Sequence, residues 1–157
     1  MKRKIEFRGK NTDSDEWLYG DLQRNAYGLI VVIPSSENDC KAIPSNYEVD
    51  ENSIGQFVKE FRGKKFYEGD IAITKDPDEP LRVVLTWIEE NAMFAWLTVQ
   101  EYLSYKRNDR IDMNFTLLLT CYAVSDDMLK DLKVIGNIFD NRELLDEDLN
   151  TLNKLKK

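Results

Sequence analysis

The run Lys65-Phe66-Tyr67-Glu68-Gly69-Asp70-Ile71-Ala72-Ile73 places β-prone apolar residues on both sides of a Glu-Gly-Asp break. It reads as a turn and strand entry, because glycine reaches backbone conformations closed to other residues and aspartate hydrogen-bonds nearby amides. Shorter echoes stand at Tyr19-Gly20-Asp21-Leu22 and at Val134-Ile135-Gly136-Asn137-Ile138-Phe139. Gly20, Gly55, Gly69 and Gly136 each lie beside a large apolar or aromatic residue. That placement is expected where a small barrel bends tightly or a strand bulges. The echoes fit either two related barrel halves or chance recurrence of short motifs.

The rest of the chain follows the same punctuated pattern. Ile5 and Phe7 alternate with Lys4, Glu6 and Arg8, the period of a half-buried strand. Gly9 to Glu16 is a polar turn, Trp17 to Leu22 a second strand, and Gly28 to Ile33 a third that stops at Pro34. Ile43 to Val49 reads as short extended structure, and Asp50 to Ser53 fits either a helix cap or a turn into a strand at Ile54 to Val58. Arg62-Gly63-Lys64 is a turn, and Lys65 to Thr74 is a strand ended by Pro77 and Pro80.

Leu81 to Ile88 and Ala92 to Leu97, joined by Glu89-Glu90-Asn91, form a hairpin pattern. Val83, Leu85 and Trp87 share one face of it and Phe94 and Trp96 the matching face. Thr98 to Tyr105 suits helix or strand, Asn114 to Val124 reads as strand with Leu117-Leu118-Leu119 leaving helix open, and Asp126 to Lys133 as helical turns capped by Ser125 or Asp126. Leu132 to Phe139 is a last strand. From Leu144 a short amphipathic helix follows, too short to stand alone in water, with Asp146, Glu147 and Asp148 in its first turn. It packs on its own barrel, on a partner helix or on a second copy.

At 157 residues the chain suits one domain, or two intimately packed β sub-barrels at about 1–60 and 61–143 with a C-terminal helix over 144–157. The longest apolar run, Phe115 to Val124, is far short of a bilayer span, and charges interrupt the N-terminus before any signal-peptide core. A cytoplasmic protein is expected, with no membrane contact. Cys40 and Cys121 are the only cysteines and read as buried thiols.

The chain contains no histidine, which removes the usual neutral-pH acid-base group and the commonest metal ligand. No glycine-rich phosphate loop occurs. No cofactor is expected, and no catalytic residue is assigned. Carboxylate or metal chemistry survives only if Asp21, Glu68 and Asp70 converge. Trp17, Tyr19, Trp87 and Trp96 are candidate binding aromatics, weighed against the core role that large rings usually take. Net charge is −7, which opposes broad contact with phosphate backbones, although basic clusters at Lys2 to Lys10 and Lys59 to Lys65 leave a local nucleic-acid face open.

The motifs Trp17-Leu18-Tyr19-Gly20-Asp21-Leu22, Ser53-Ile54-Gly55-Gln56-Phe57, Tyr67-Glu68-Gly69-Asp70-Ile71, Val83-Val84-Leu85-Thr86-Trp87 and Ile135-Gly136-Asn137-Ile138 resemble, in order and spacing, the YopX family of phage and prophage proteins. The resemblance runs from about Ile5 to Leu145. The chain departs from the family at Phe57-Val58-Lys59, where Tyr-Thr-Gly is frequent, and at Arg142, where proline is frequent. It implies a mainly β, SH3-like barrel with minor helix, and Tyr19, Gly20, Asp21, Gly55, Tyr67, Glu68, Gly69, Asp70, Gly136 and Asn137 as its structural motif positions. It implies no activity. The function expected is non-catalytic binding of a protein partner or of another copy. A nucleic-acid-associated accessory module is the alternative, and a carboxylate-based, metal-dependent enzyme a remote one.

Overall fold

The computed structural model describes residues 4–24, 30–34, 45–75, 78, 80–107 and 124–146. The chain divides into two compact units, Met1–Val58 and Lys59–Lys157. The described strands form two antiparallel sheets with a few short helices, and no closed barrel is found among them.

In the first unit β1 (Phe7–Lys10) pairs with β2 (Trp17–Arg24), which pairs with β3 (Ile30–Ile33); the other edge of β1 takes β4 (Gly55–Phe61). The turn between β1 and β2 is built on buried Asn11. Its Oδ1 accepts from the Asp13 and Ser14 amides at 3.1 and 2.8 Å, and its Nδ2 donates to the Asn46 and Glu48 carbonyls at 2.7 and 3.1 Å. A single short amide thereby ties the turn to a segment 35 residues away. Asp50 accepts from the Asn52 amide and caps a 3-10 turn over Glu51–Ser53, so the undecided stretch before β4 is a capped turn.

The face expected to be buried at the start of the chain is inverted. Ile5 is 63% exposed, while Glu6 and Arg8 are buried. Lys4 Nζ pairs with Glu6 at 3.0 Å and sits over the Phe57 ring, and the Arg8 guanidinium lies 4.8 Å from the Trp17 ring centroid. Charged side chains carry long apolar stems, so alternation of polar and apolar letters does not fix the covered face here.

The second unit opens on β5 (Lys64–Tyr67), reached from β4 through a tight turn with Arg62 and Gly63 at φ 51° and 74°. The single strand expected over Lys65 to Thr74 is two: β5 ends at Tyr67 and β6 (Asp70–Thr74) begins after a turn at Glu68-Gly69. Gly69 at φ +84° causes the break. β7 (Arg82–Ile88) and β8 (Met93–Thr98) form the expected hairpin around a 3-10 turn at Glu89–Asn91, in register Leu85 with Trp96 and Trp87 with Phe94.

Thr98, which accepts from the Glu101 amide, and Glu101, which accepts from the Thr98 amide at 2.8 Å, form a reciprocal cap that settles the next segment as α1 (Val99–Lys106). Ser125 caps α2 (Asp126–Lys130), which leads into β9 (Leu132–Asn137). The sheet order is β8-β7-β6-β9. Residues Val83 to Thr86 of β7 are all buried, as befits a strand covered on both faces. Its core gathers Ile71, Val84, Leu97, Val99 and Tyr102, against which Ile138, Leu144 and Leu145 pack. A helical turn at 143–146 is held to β7 by Arg82, whose guanidinium donates to the Leu144 carbonyl at 2.7 Å.

Cys40, Cys121, all but the last residue of the strand read over Asn114 to Val124, and the helix beyond 146 lie outside the described residues. Among the described residues no helix is long and apolar enough to cross a membrane.

Candidate functional site

The two most specific motifs, Tyr67 to Ile71 and Ile135 to Ile138, are neighbours in one sheet. Asp70 stands opposite Asn137 and Ile71 opposite Gly136, with a register shift before Ala72 that leaves Ile135 as the extra residue. The Gly69 amide donates to the Leu85 carbonyl at 2.8 Å, and the Gly69 carbonyl accepts from the Ile138 amide at 2.9 Å. One glycine thus links three strands' worth of chain. A Cβ there would meet the Phe139 ring at 3.0 Å, so both the backbone angle and the space select glycine.

Asp70 is 4% exposed, and its Oδ2 accepts from the Tyr67 amide at 2.8 Å across the turn. Asn137 closes the partner turn: its Oδ1 accepts from the Phe139 and Asp140 amides at 2.9 Å each, and its Nδ2 donates to Asp140. Tyr67 is buried. These groups are engaged in holding backbone, which is what a short polar side chain at a strand entrance does best.

Replacing Asp70 by alanine removes the buried acceptor of the Tyr67 amide. The expected cost is about 1–3 kcal/mol of stability, with Asp70→Asn losing less because its amide oxygen still accepts. Thermal unfolding of the two variants checks this. Melting temperatures equal to the parent's would show that the carboxylate does not hold the turn.

The echo in the first unit has a different conformation. Tyr19, Gly20 and Asp21 run through the middle of β2 as regular strand, opposite Arg8, Phe7 and Ile33 respectively. Tyr19 is 44% exposed, and Gly55 is buried at the start of β4 opposite Arg8. The sequence echo therefore marks no repeated turn. Asp21 belongs to the first unit and Glu68 and Asp70 to the second. Among the described residues no group of three or more Cys, Asp or Glu side chains is arranged to hold a metal ion.

The four candidate aromatics separate. Trp96 is completely buried, edge-on to Phe66 at 6.2 Å, and belongs to the core rather than to a binding face. Trp17 is half-buried beneath Arg8. Trp87 remains 37% exposed, its ring held edge-on to Phe94 at 5.0 Å and an interplanar angle of 62°.

Trp87 borders an open pocket of about 290 Å³ with Glu68, Glu89, Glu90, Tyr105 and Lys106. Three elements of the second unit converge there: the β5–β6 turn, the β7–β8 hairpin loop and the last turn of α1. The Tyr105 hydroxyl joins two of them, accepting from the Glu89 amide at 3.0 Å and reaching Glu90 Oε2 at 3.4 Å. Behind the pocket, burial and then the neighbouring Glu68 carboxylate push the Tyr102 hydroxyl above the ordinary tyrosine range, with Arg142 pulling the other way. Lys106 sits 5.8 Å from the Tyr102 ring centroid.

Sequence reasoning found Trp87 and Glu68 but not their companions. Glu89 and Glu90 read only as the joint of the hairpin, and Tyr105 lay in a segment whose helix or strand character was open. The Thr98-to-Glu101 cap spacing was the available signal for α1, and with it the placement of Tyr105 and Lys106 in its last turn.

A two-sheet antiparallel protein, closed by Gly-Asp and Gly-Asn turns that hydrogen-bond to each other, is the class these features define. The family model for YopX, described as YopX protein, matches residues 6–146. The chain belongs to that family. No curated protein matches it.

Proposed function

We propose that the chain is a non-catalytic, phage-associated binding module that engages a protein partner, or another copy of itself, through the surface around Trp87. The observation that carries this reading is a tryptophan left 37% exposed at the mouth of a concave, polar pocket. Large rings exposed beside convergent polar groups are what protein interfaces use as anchors. The motif carboxylate Asp70 is committed to backbone, which supports binding over catalysis. The proposal includes a cytoplasmic setting. It also includes an SH3-like barrel architecture, supported by the close packing of Gly20, Gly69 and Gly136 against neighbouring backbone and side chains.

The nucleic-acid alternative is weakened by how the basic clusters are used. Lys4, Lys10 and Lys59 each pair with a carboxylate, at 3.0, 2.7 and 2.6 Å. Ammonium groups already neutralised within the chain release few counterions from a phosphate backbone.

A photo-crosslinking amino acid placed at Trp87 in cells that produce the protein tests the reading, with the same amino acid at exposed Lys133 as the comparison. Discrete protein adducts at position 87 and none at 133 are expected. Equal adducts at both positions, or none at 87, would rule out a protein-docking surface there.

A further inference from the structure

We infer that the Trp87 pocket receives an arginine side chain presented by a basic segment of a partner protein. This rests on the binding-module reading and names the chemistry of the partner. Glu68, Glu89, Glu90 and Lys106 line the cavity, and Glu89 and Glu90 alone outnumber its one ammonium, so the field there favours a cation. Lys106 lies over the Tyr102 ring on its own helix, 5.8 Å from the centroid.

Arginine fits this surface for two reasons. A guanidinium is planar, so it lies flat on an exposed indole, and its fork of N–H donors matches a carboxylate in two hydrogen bonds. An ammonium offers neither the plane nor the fork. The chain itself stacks a guanidinium on an indole, Arg8 over Trp17 at 4.8 Å, which is the geometry inferred for the partner's arginine on Trp87.

The receiving groups are preorganised. Phe94 holds the Trp87 ring edge-on, and the Tyr105 hydroxyl anchors the loop that carries Glu89 and Glu90. Groups held in place before binding lose less conformational freedom when the ligand arrives. The identity of the partner as a different protein follows from charge. At −7 each, two copies of this chain repel as they approach, whereas a basic segment is drawn in.

The test uses the full chain, labelled with nitrogen-15, and three capped tetrapeptides: tetra-arginine, tetra-lysine and tetra-citrulline. Citrulline keeps the shape of arginine and removes its charge. Tetra-arginine is expected to shift the Trp87 indole N–H resonance saturably, to bind several-fold more tightly than tetra-lysine, and to leave tetra-citrulline without a measurable effect. Trp87→Ala, and separately Glu89→Gln with Glu90→Gln, should each weaken tetra-arginine about tenfold, and the glutamine pair should leave the melting temperature near the parent's, since both of its side chains are exposed.

The inference is overturned if tetra-arginine leaves the Trp87 resonance unmoved, if tetra-lysine binds equally, or if both altered proteins bind as the parent does. Self-association lost in the same two altered proteins would assign the pocket to a second copy and also overturn it. Adducts at position 87 in the crosslinking experiment, combined with failure of tetra-arginine, would leave a protein-docking surface standing and remove only its arginine chemistry.

Discussion

Alanine at Gly20 should be the most damaging single-methyl change in the first unit. A Cβ built there falls 1.8 Å from the Ile33 carbonyl oxygen and 2.5 Å from its carbon, with the Pro34 Cα at 2.9 Å. All three are backbone atoms at the end of the neighbouring strand β3, so no rotamer change relieves the overlap. The strand must shift, and β3 pairs along Asp21 to Arg24 immediately beyond that point. Overpacking a close-packed site costs about 1–3 kcal/mol and more when only backbone can move, so the upper end or beyond is expected. For a chain of this size that is a fall of roughly 6–12 °C in melting temperature. Circular dichroism of Gly20→Ala checks it, and a melting temperature within a degree of the parent's would mean that β2 and β3 are not packed as described.

Trp96→Ala should cost about 3–5 kcal/mol, the range for removing a large aromatic from a core. Trp96 is fully buried, stands opposite Leu85 on the hairpin, and meets Phe66 edge-on. Its Nε1 finds no hydrogen-bond partner among the described residues, so the replacement sacrifices ring contacts and no polar interaction there. Trp96→Phe keeps much of the ring and removes the orphaned N–H, and should recover more than half of the loss. Denaturant unfolding of both variants gives the comparison. The contrast with Trp87 is direct, because removing a ring 37% exposed at a pocket mouth should change binding and cost less stability than removing fully buried Trp96.

The elements that were legible from residues alone are those whose signals are local. The β7–β8 hairpin declared itself by alternation on both arms and a three-residue polar loop, and Ser125 announced α2. Glu-Gly-Asp was visible as a turn, yet the strand was extended through it, because propensity does not show that Gly69 adopts φ +84°. The inverted face at Glu6 and Arg8 was hidden for a different reason. It depends on Phe57 and Trp17 lying beneath Lys4 and Arg8, residues distant from them in sequence, and that is a tertiary fact. The pocket was unreadable for the same cause: Glu68, Glu89 and Tyr105 come from three elements, and only the packed second unit brings them to one cavity.

The pairing of β6 with β9 has a bearing on how the protein is made. Ile71 and Gly136 are partners separated by about 65 residues, a loop whose closure must come before its contacts can repay it. A ribosome adding about 5–20 residues per second exposes β6 several seconds before β9 emerges. During that interval the strand carrying the Gly-Asp turn can pair with β7 but presents a bare edge on its other side, a template for any extended chain nearby. The second motif, Ile135 to Ile138, is therefore also the cover that ends this window, and nascent chains cut short before it should be the aggregation-prone form of the protein.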